Sequence, residues 1–197
     1  MDSQIPREIL SQFYKENNLG EDGGGNSPSV KIEVTKKFHF YIPNFDARRK
    51  AVLKHDIHHL LTDYTTSLAD ESAISAWEIA SGCKKYWVAF AIDTSAVMIG
   101  ILINFKGTLK AFARGRKTKN LYHDIFTNEQ ALDMKVSKLK AHFNLDKYGI
   151  DTKVTFTDFI LFALFSVFGL VYSILSLIFL PFIIVYSIFI ELKSKFF

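Results

Sequence analysis

The strongest constraint on this chain is a C-terminal run of 32 residues, 159–190, that contains no charged side chain. At about 1.5 Å per residue, one straight helix of this length would extend about 48 Å, well beyond the roughly 30 Å hydrocarbon layer of a bilayer. Lysines flank the run, with Lys153 before it and Lys193 and Lys195 after it. Because lysines collect on the cytoplasmic side of membranes, the pattern predicts a hydrophobic membrane hairpin with both ends on that side.

The bend of this hairpin is predicted at residues 169–176, near the middle of the run, where Gly169, Ser173 and Ser176 are small. A single tilted span that kinks at Pro181 is the alternative. Either arrangement makes residues 151–197 a membrane-anchoring tail.

The rest of the 197-residue chain is long enough for one domain. Residues 1–30 begin without a secretory signal and continue into a stretch rich in Gly, Asn and Ser, which predicts a flexible N-terminal segment. Residues 31–150 form the predicted domain, mainly α, with one short extended segment at 31–42 that is interrupted at Lys36 and Lys37. The lone Cys83 cannot form an internal disulfide, which fits a reducing compartment.

A group of candidate metal ligands occupies residues 55–71, with the sequence HDIHHLLTDYTTSLADE. On a helix predicted for residues 45–61 and capped by Asn44, His59 and Asp56 lie about 40° and 100° around the axis from His55. These three side chains therefore share one wedge of the helix surface. Imidazole and carboxylate together suit a divalent metal such as zinc.

The fourth candidate ligand is Glu71. The Ser67-x-x-Asp70 pattern predicts the start of a second helix, which ends at Gly82 and carries Glu71 in its first turn. A tight turn between the two helices returns this carboxylate to the wedge. The predicted metal ligands are thus His55, Asp56, His59 and Glu71.

Less specific explanations stay open for these residues. A histidine near an apolar face is more often a core or surface residue than a ligand, and the HD pair and the HxxxH spacing are each weak signals alone. Glu78 follows Glu71 by seven residues on the same helix face. It is therefore either a group that supports the ligands from behind or a solvated surface residue.

The order H-D-x-x-H, eleven residues, then E resembles the zinc motif of the coenzyme Q biosynthesis protein 4 family. The resemblance covers residues 43–143, about half of the chain, and includes Ala76-Trp77-Glu78. Where family members commonly carry glycine after the second histidine and before the glutamate, this chain has Asp63 and Asp70, and family members generally lack a long apolar tail.

The resemblance implies a zinc protein of quinone or related prenyl-lipid biosynthesis. Its activity would be oxidative decarboxylation of the quinone head-group precursor, or organisation of the biosynthetic complex. The implied partners are a membrane lipid or prenylated quinone precursor and other biosynthetic enzymes. Two further classes stay open, a non-catalytic lipid-binding scaffold and an HD-type metal-dependent phosphohydrolase.

Two enzyme classes that use histidine motifs, the membrane desaturases and the HD-type phosphohydrolases, fit this sequence less well. The HxxHH box of membrane desaturases is present, but those enzymes use more histidines than the six in this chain. An HD-type phosphohydrolase needs an additional upstream histidine and a downstream aspartate as ligands. In this chain the candidates for these two ligands are His39 and Asp93, and their positions fit the phosphohydrolase pattern only loosely.

Two stretches complete the domain. Residues 86–103 are apolar except for Asp93, which would be costly in lipid, so they predict a buried core helix. The next stretch carries six cationic residues without an intervening acid and lacks a nucleic-acid-binding motif, which favours an anionic membrane surface over nucleic acid as its partner. These six are Lys106, Lys110, Arg114, Arg116, Lys117 and Lys119.

Overall fold

A computed structural model describes residues 3–35 and 38–196 and confirms a mainly α-helical fold. The first elements are α1 (Pro6–Glu16), β1 (Ser29–Thr35), β2 (Phe38–Pro43), α2 (Asp46–Thr62), α3 (Leu68–Ser81), α4 (Trp87–Ile103) and α5 (Phe105–Gly115). They are followed by α6 (Asn128–Asp133), α7 (Val136–His142), α8 (Phe156–Ser176) and α9 (Leu180–Phe196), with 3-10 turns at Leu121–His123 and Leu177–Phe179.

Helix α3 lies at the centre of the domain and packs on both α4 and α5. Trp77 of α3 is fully buried, and its indole nitrogen donates a hydrogen bond to the hydroxyl of Thr118 at 2.8 Å. Gly115 at the end of α5 lies so close to the carbonyl oxygen of Trp77 that a Cβ would clash with it. Helices α3 and α5 therefore pack almost backbone to backbone, beside the ligand-bearing helix α2.

The N-terminal segment, residues 1–30, was expected to be flexible, but most of it is ordered against the domain. Its first half forms α1, whose Ile9, Leu10 and Tyr14 are buried in the hydrophobic core. The Gly-rich stretch that follows is held by Asn44, whose side-chain amide donates hydrogen bonds to three backbone carbonyls between residues 24 and 27. Burying the apolar face of α1 offsets the entropy lost on ordering the segment.

The extended segment predicted at residues 31–42 is an antiparallel hairpin of β1 and β2, in which Ile32 pairs with Phe40 and Val30 with Ile42. The predicted interruption at Lys36 and Lys37 lies outside the described residues.

The helix boundaries that place the ligands are close to those predicted. Helix α2 begins after Phe45 instead of Asn44, because the Asn44 side chain is engaged with the preceding loop. The helix ends at Asp63, which adopts the left-handed conformation with φ of 64° that Asp tolerates better than most residues. Ser67 caps α3 as predicted, with its hydroxyl accepting the backbone N–H of Asp70 at 3.2 Å.

The C-terminal hairpin prediction was wrong. Residues 156–193 form one continuous helix that is long and apolar enough to cross a membrane by length and composition. The backbone keeps right-handed helical angles through the 3-10 turn at Leu177–Phe179, so the chain does not reverse there. Gly169, predicted in the bend, instead allows the side chain of Met98 on α4 to lie against the helix.

Helix α4 is buried on one face only. Asp93, Thr94, Val97 and Gly100 are inside the domain, whereas other positions are open, with Leu102 85% exposed. The prediction of a buried core helix therefore holds for half of the helix surface.

The basic stretch does not form a continuous cationic surface. Arg114 is 2% exposed, and its guanidinium donates hydrogen bonds to the carbonyl oxygens of Thr62 and Tyr148, both at 2.8 Å. Arg116 and Lys117 instead form ion pairs with Asp158 at the start of α8. Several of these cationic side chains therefore bind the end of α5 to neighbouring segments and do not form a free surface for a membrane.

We expect Arg114→Ala to lower the free energy of unfolding by about 3 kcal/mol, because it removes a buried side chain and leaves the buried carbonyl oxygen of Thr62 and the partly buried one of Tyr148 without this donor. Urea unfolding in detergent measures this. Arg49→Ala, which removes an exposed guanidinium that forms an ion pair with Asp46, is the matched control and should change stability by less than about 1 kcal/mol. Equal losses in both variants would contradict the structural role of Arg114.

Candidate metal centre

Three of the predicted ligands converge on one point. His55 and His59 lie one turn apart on α2, with their Nε2 atoms 3.2 Å from each other. Glu71, in the first turn of α3, places Oε2 at 3.4 Å from Nε2 of His55 and Oε1 at 3.4 Å from Nε2 of His59. Of the groups that the described residues offer, this is one of two with enough ligand atoms in reach of a single ion.

The hydrogen bonds behind the two imidazoles fix which nitrogen is free to bind. Nδ1 of His59 lies 3.0 Å from the carbonyl oxygen of Tyr64, which can only accept, so this nitrogen carries the proton. Nδ1 of His55 likewise donates to a carboxylate oxygen of Glu78 at 3.0 Å. Both Nε2 atoms therefore direct lone pairs at the same point, which is unfavourable unless a cation or a proton lies between them.

The spacing of these atoms suits a divalent metal. Ligands bound tetrahedrally to zinc at about 2.0–2.1 Å lie roughly 3.3 Å from one another. The 3.2 Å between the two Nε2 atoms matches one edge of such a tetrahedron, and each Nε2 lies 3.4 Å from a different oxygen of Glu71, so the carboxylate faces both imidazoles. Without a metal, hydrogen bonds and charge from the two imidazoles outweigh the effect of burial and lower the pKa of Glu71 to about 2.

Asp56, the remaining predicted ligand, points elsewhere. Its Oδ2 accepts a hydrogen bond from the hydroxyl of Tyr14 at 2.9 Å, and its side chain is outside the group formed by His55, His59 and Glu71. Burial raises the pKa of Asp56, against the opposing charge of the nearby imidazoles. The helical spacing predicts Asp56 in the same wedge as the two histidines, but Tyr14 of α1, in the segment expected to be flexible, is its partner.

Glu78 is the main site residue whose role the sequence left undecided. Its side chain is fully buried, and Oε1 accepts from Nδ1 of both His55 and His58, at 3.0 and 2.5 Å. Nε2 of His58 accepts the backbone N–H of Leu121, which leaves the proton on Nδ1. Burial opposes ionisation, but the two histidines prevail and hold the pKa of Glu78 well below its usual range. The sequence feature that pointed to Glu78 is its spacing of seven residues from Glu71, which places both on one face of α3.

A second cluster lies directly behind the first. His55, Glu78 and Asp93 also offer ligand atoms within 4.8 Å of one another. Burial, and then the negative charge of Glu78, raise the pKa of Asp93 well above its usual range. The thiol of Cys83 lies 3.7 Å from an Asp93 oxygen, in an environment whose burial raises the pKa of the thiol. The ligand His55 is thus in contact, through Glu78, with titratable groups in the interior of the domain.

A cavity of about 600 Å³ opens beside the three converging ligands. The polar part of its wall includes His55, His59, Glu71 and Asp56, together with charged groups such as Arg48. The wall also has apolar side chains from the β-hairpin and from α4, namely Val30, Ile32, Ile42, Val88, Ala89 and Ile92. The cavity therefore suits a molecule with a polar head and an apolar body.

Comparisons of the chain with protein-family models, with curated proteins and with solved structures give no match. The family resemblance therefore rests on the motif residues themselves.

Proposed function

We propose that this protein is a metal-dependent enzyme that acts on the polar head of a membrane amphiphile. One divalent cation, zinc by preference, is held by His55, His59 and Glu71. The observation that carries the proposal is the convergence of two fixed imidazole lone pairs and one carboxylate on the wall of a largely apolar cavity. Three protein ligands with an accessible side are typical of catalytic zinc, whereas structural zinc is enclosed by four.

The chemistry follows from the groups around this point. A divalent cation held by these residues would supply Lewis-acid chemistry, either to polarise an oxygen of the head group or to lower the pKa of water. Asp56 also lines the cavity and is hydrogen-bonded to Tyr14. It is the carboxyl group best placed to take up or deliver a proton. Glu78 orients His55, as carboxylates behind metal-bound histidines commonly do.

The resemblance to the coenzyme Q biosynthesis protein 4 family narrows the substrate to a prenylated quinone precursor. In a decarboxylation of a phenolic acid head group, CO2 leaves and a proton takes its place on the ring carbon. A Lewis acid would stabilise the phenolate, and the buried carboxyl group of Asp56, whose pKa is raised by burial, would deliver that proton. The proposal also places the domain on the cytoplasmic side of a membrane, among other biosynthetic enzymes. An anionic membrane surface stays a proposed partner through the basic residues of α5 that are exposed.

Two other functions are less well supported. A lipid-binding scaffold would not need an accessible side at the ligands. A phosphohydrolase of the HD type would need His39 in the site, but among the described residues His39 is bonded to Glu191 at 3.0 Å.

The experiment that tests the proposed substrate class is lipid analysis of the detergent-extracted full chain by mass spectrometry. Wild-type protein should carry an amphiphile with an oxygen-rich head group. Ala89→Phe, which fills the apolar part of the cavity, should reduce the bound amount at least tenfold, which corresponds to about 1.4 kcal/mol of binding free energy. Ser95→Phe, on the exposed side of the same helix, is the matched control and should bind as wild type does.

Undiminished lipid in Ala89→Phe would place the amphiphile outside the cavity and remove this part of the proposal. An enzyme should convert the extracted lipid when it is loaded with metal, and the conversion should stop after chelation. A scaffold should not convert the lipid. Binding without conversion under both conditions would favour the scaffold.

A further inference from the structure

The long C-terminal helix, residues 156–193, rests against the domain instead of leaving it. At its start, Asp158 is buried and paired with Arg116 of α5. About three turns later, Gly169 lies against Met98 of α4. Both contacts hold the first half of the helix to the two helices that form the core with α3.

The far end of the same helix is also bound to the domain. The backbone N–H of Tyr41 in β2 donates a hydrogen bond to the hydroxyl of Ser187 at 3.1 Å. Nε2 of His39, on the same strand, lies 3.0 Å from an oxygen of Glu191. The helix is thus attached to one side of the domain near both of its ends and at Gly169 in its first half.

The sheltered residues recur at intervals of three and four, so they form a single stripe. At about 100° per residue the stripe covers an arc of roughly 160°, and it continues on the same side in α8 and α9. Only residues 177–182, around the 3-10 turn, interrupt it. Its members include the small or polar positions of the run, namely Ser166, Gly169, Ser173, Ser176 and Ser187.

The opposite side of the helix is exposed and apolar over the remaining arc of roughly 200°. It carries large side chains that are at least half exposed, among them Leu164, Val167, Val171, Ile178 and Val185. Such a surface is far larger than the apolar patches of proteins that stay in water. A second copy packed on this helix would cover one stripe of it, whereas acyl chains cover an apolar surface of any width.

We propose that this helix lies in the plane of one membrane leaflet, with its outer arc among the acyl chains and the domain above it in the head-group region. The polar contacts of Asp158 and Glu191 are 33 residues apart, about 50 Å along the helix. A perpendicular orientation would carry the attached domain into the hydrocarbon. That would include exposed ion pairs such as Lys85 with Asp124, which lipid would strip of water.

An in-plane position leaves those ion pairs in water and still buries the outer arc. Helices of this kind insert about 5–10 Å below the membrane surface. The metal site is not needed for this placement, so the inference stands apart from the proposed function.

The test is a depth profile of the full chain in vesicles of phosphatidylcholine and phosphatidylglycerol. Nitroxide labels are attached to single introduced cysteines on the outer arc, in Leu164→Cys, Val171→Cys, Ile178→Cys and Val185→Cys. Electron paramagnetic resonance then compares their collisions with oxygen and with a water-soluble nickel complex. Wild-type protein, whose Cys83 is buried, gives the background labelling, and Lys50→Cys on α2 is the aqueous control.

We expect all four outer labels to lie at the same depth within about 5 Å. A transmembrane helix would instead give a profile that differs by about 15 Å between its middle and its ends, and this would overturn the proposal. If the labels are accessible to neither oxygen nor the nickel complex and show spin–spin broadening between chains, then a second copy of the chain covers the outer arc and the proposal is wrong. Far-UV circular dichroism of each variant verifies the fold.

Discussion

His59→Ala is expected to reduce the bound divalent metal from about one ion per chain to near zero. The substitution removes one of three converging ligands, and His55 and Glu71 alone do not enclose an ion. Loss of the metal also removes its stabilisation of the folded state, which amounts to about 4 kcal/mol when free metal exceeds Kd a thousandfold. Metal analysis by mass spectrometry, with thermal unfolding in detergent before and after zinc addition, measures both effects.

Two matched variants make this result specific. His142→Ala removes an exposed imidazole remote from the ligands and should keep its metal. Asp56→Asn should keep it too, because the Asp56 carboxylate bonds to Tyr14 and lies outside the triad. If Asp56→Asn loses metal as completely as His59→Ala, then the four-ligand set expected from the motif is right and the three-ligand centre is wrong.

Glu78→Ala is expected to have the largest effect on stability of any single substitution at the site. It leaves the N–H groups of His55 and His58 buried without an acceptor, and removal of one partner from such a buried group costs about 3–5 kcal/mol. Chemical unfolding of the metal-free protein measures this cost separately from metal binding.

Glu78→Gln separates the two roles of this residue. Its amide oxygen still accepts one hydrogen bond, so the loss of stability should be smaller, but the charge that orients His55 is gone. Metal affinity should then fall about 10–100-fold, as is typical when such a supporting group is replaced. Glu129→Gln, at an exposed ion pair with Arg7, should leave metal affinity unchanged. Unchanged affinity in Glu78→Gln would show that the carboxylate serves packing alone.

The sequence by itself determined the local parts of the site. Helical spacing places His55 and His59 on one face of α2, and the Ser67 cap starts α3 so that Glu71 falls in its first turn. These interactions span only a few residues, so short patterns are enough to predict them. Charge and length likewise identified residues 159–190 as an apolar helical segment.

Tertiary contacts alone decided the remaining features. Tyr14, 42 residues before its partner, draws Asp56 away from the other ligands, and Glu78 becomes a buried acceptor only because α3 packs across α2. The tail stays a single helix because its small residues fit against α4 and β2 instead of making a bend. A sequence pattern gives the position of a side chain around its own helix. Which neighbour occupies that side depends on how distant segments pack, and local periodicity carries no information about that.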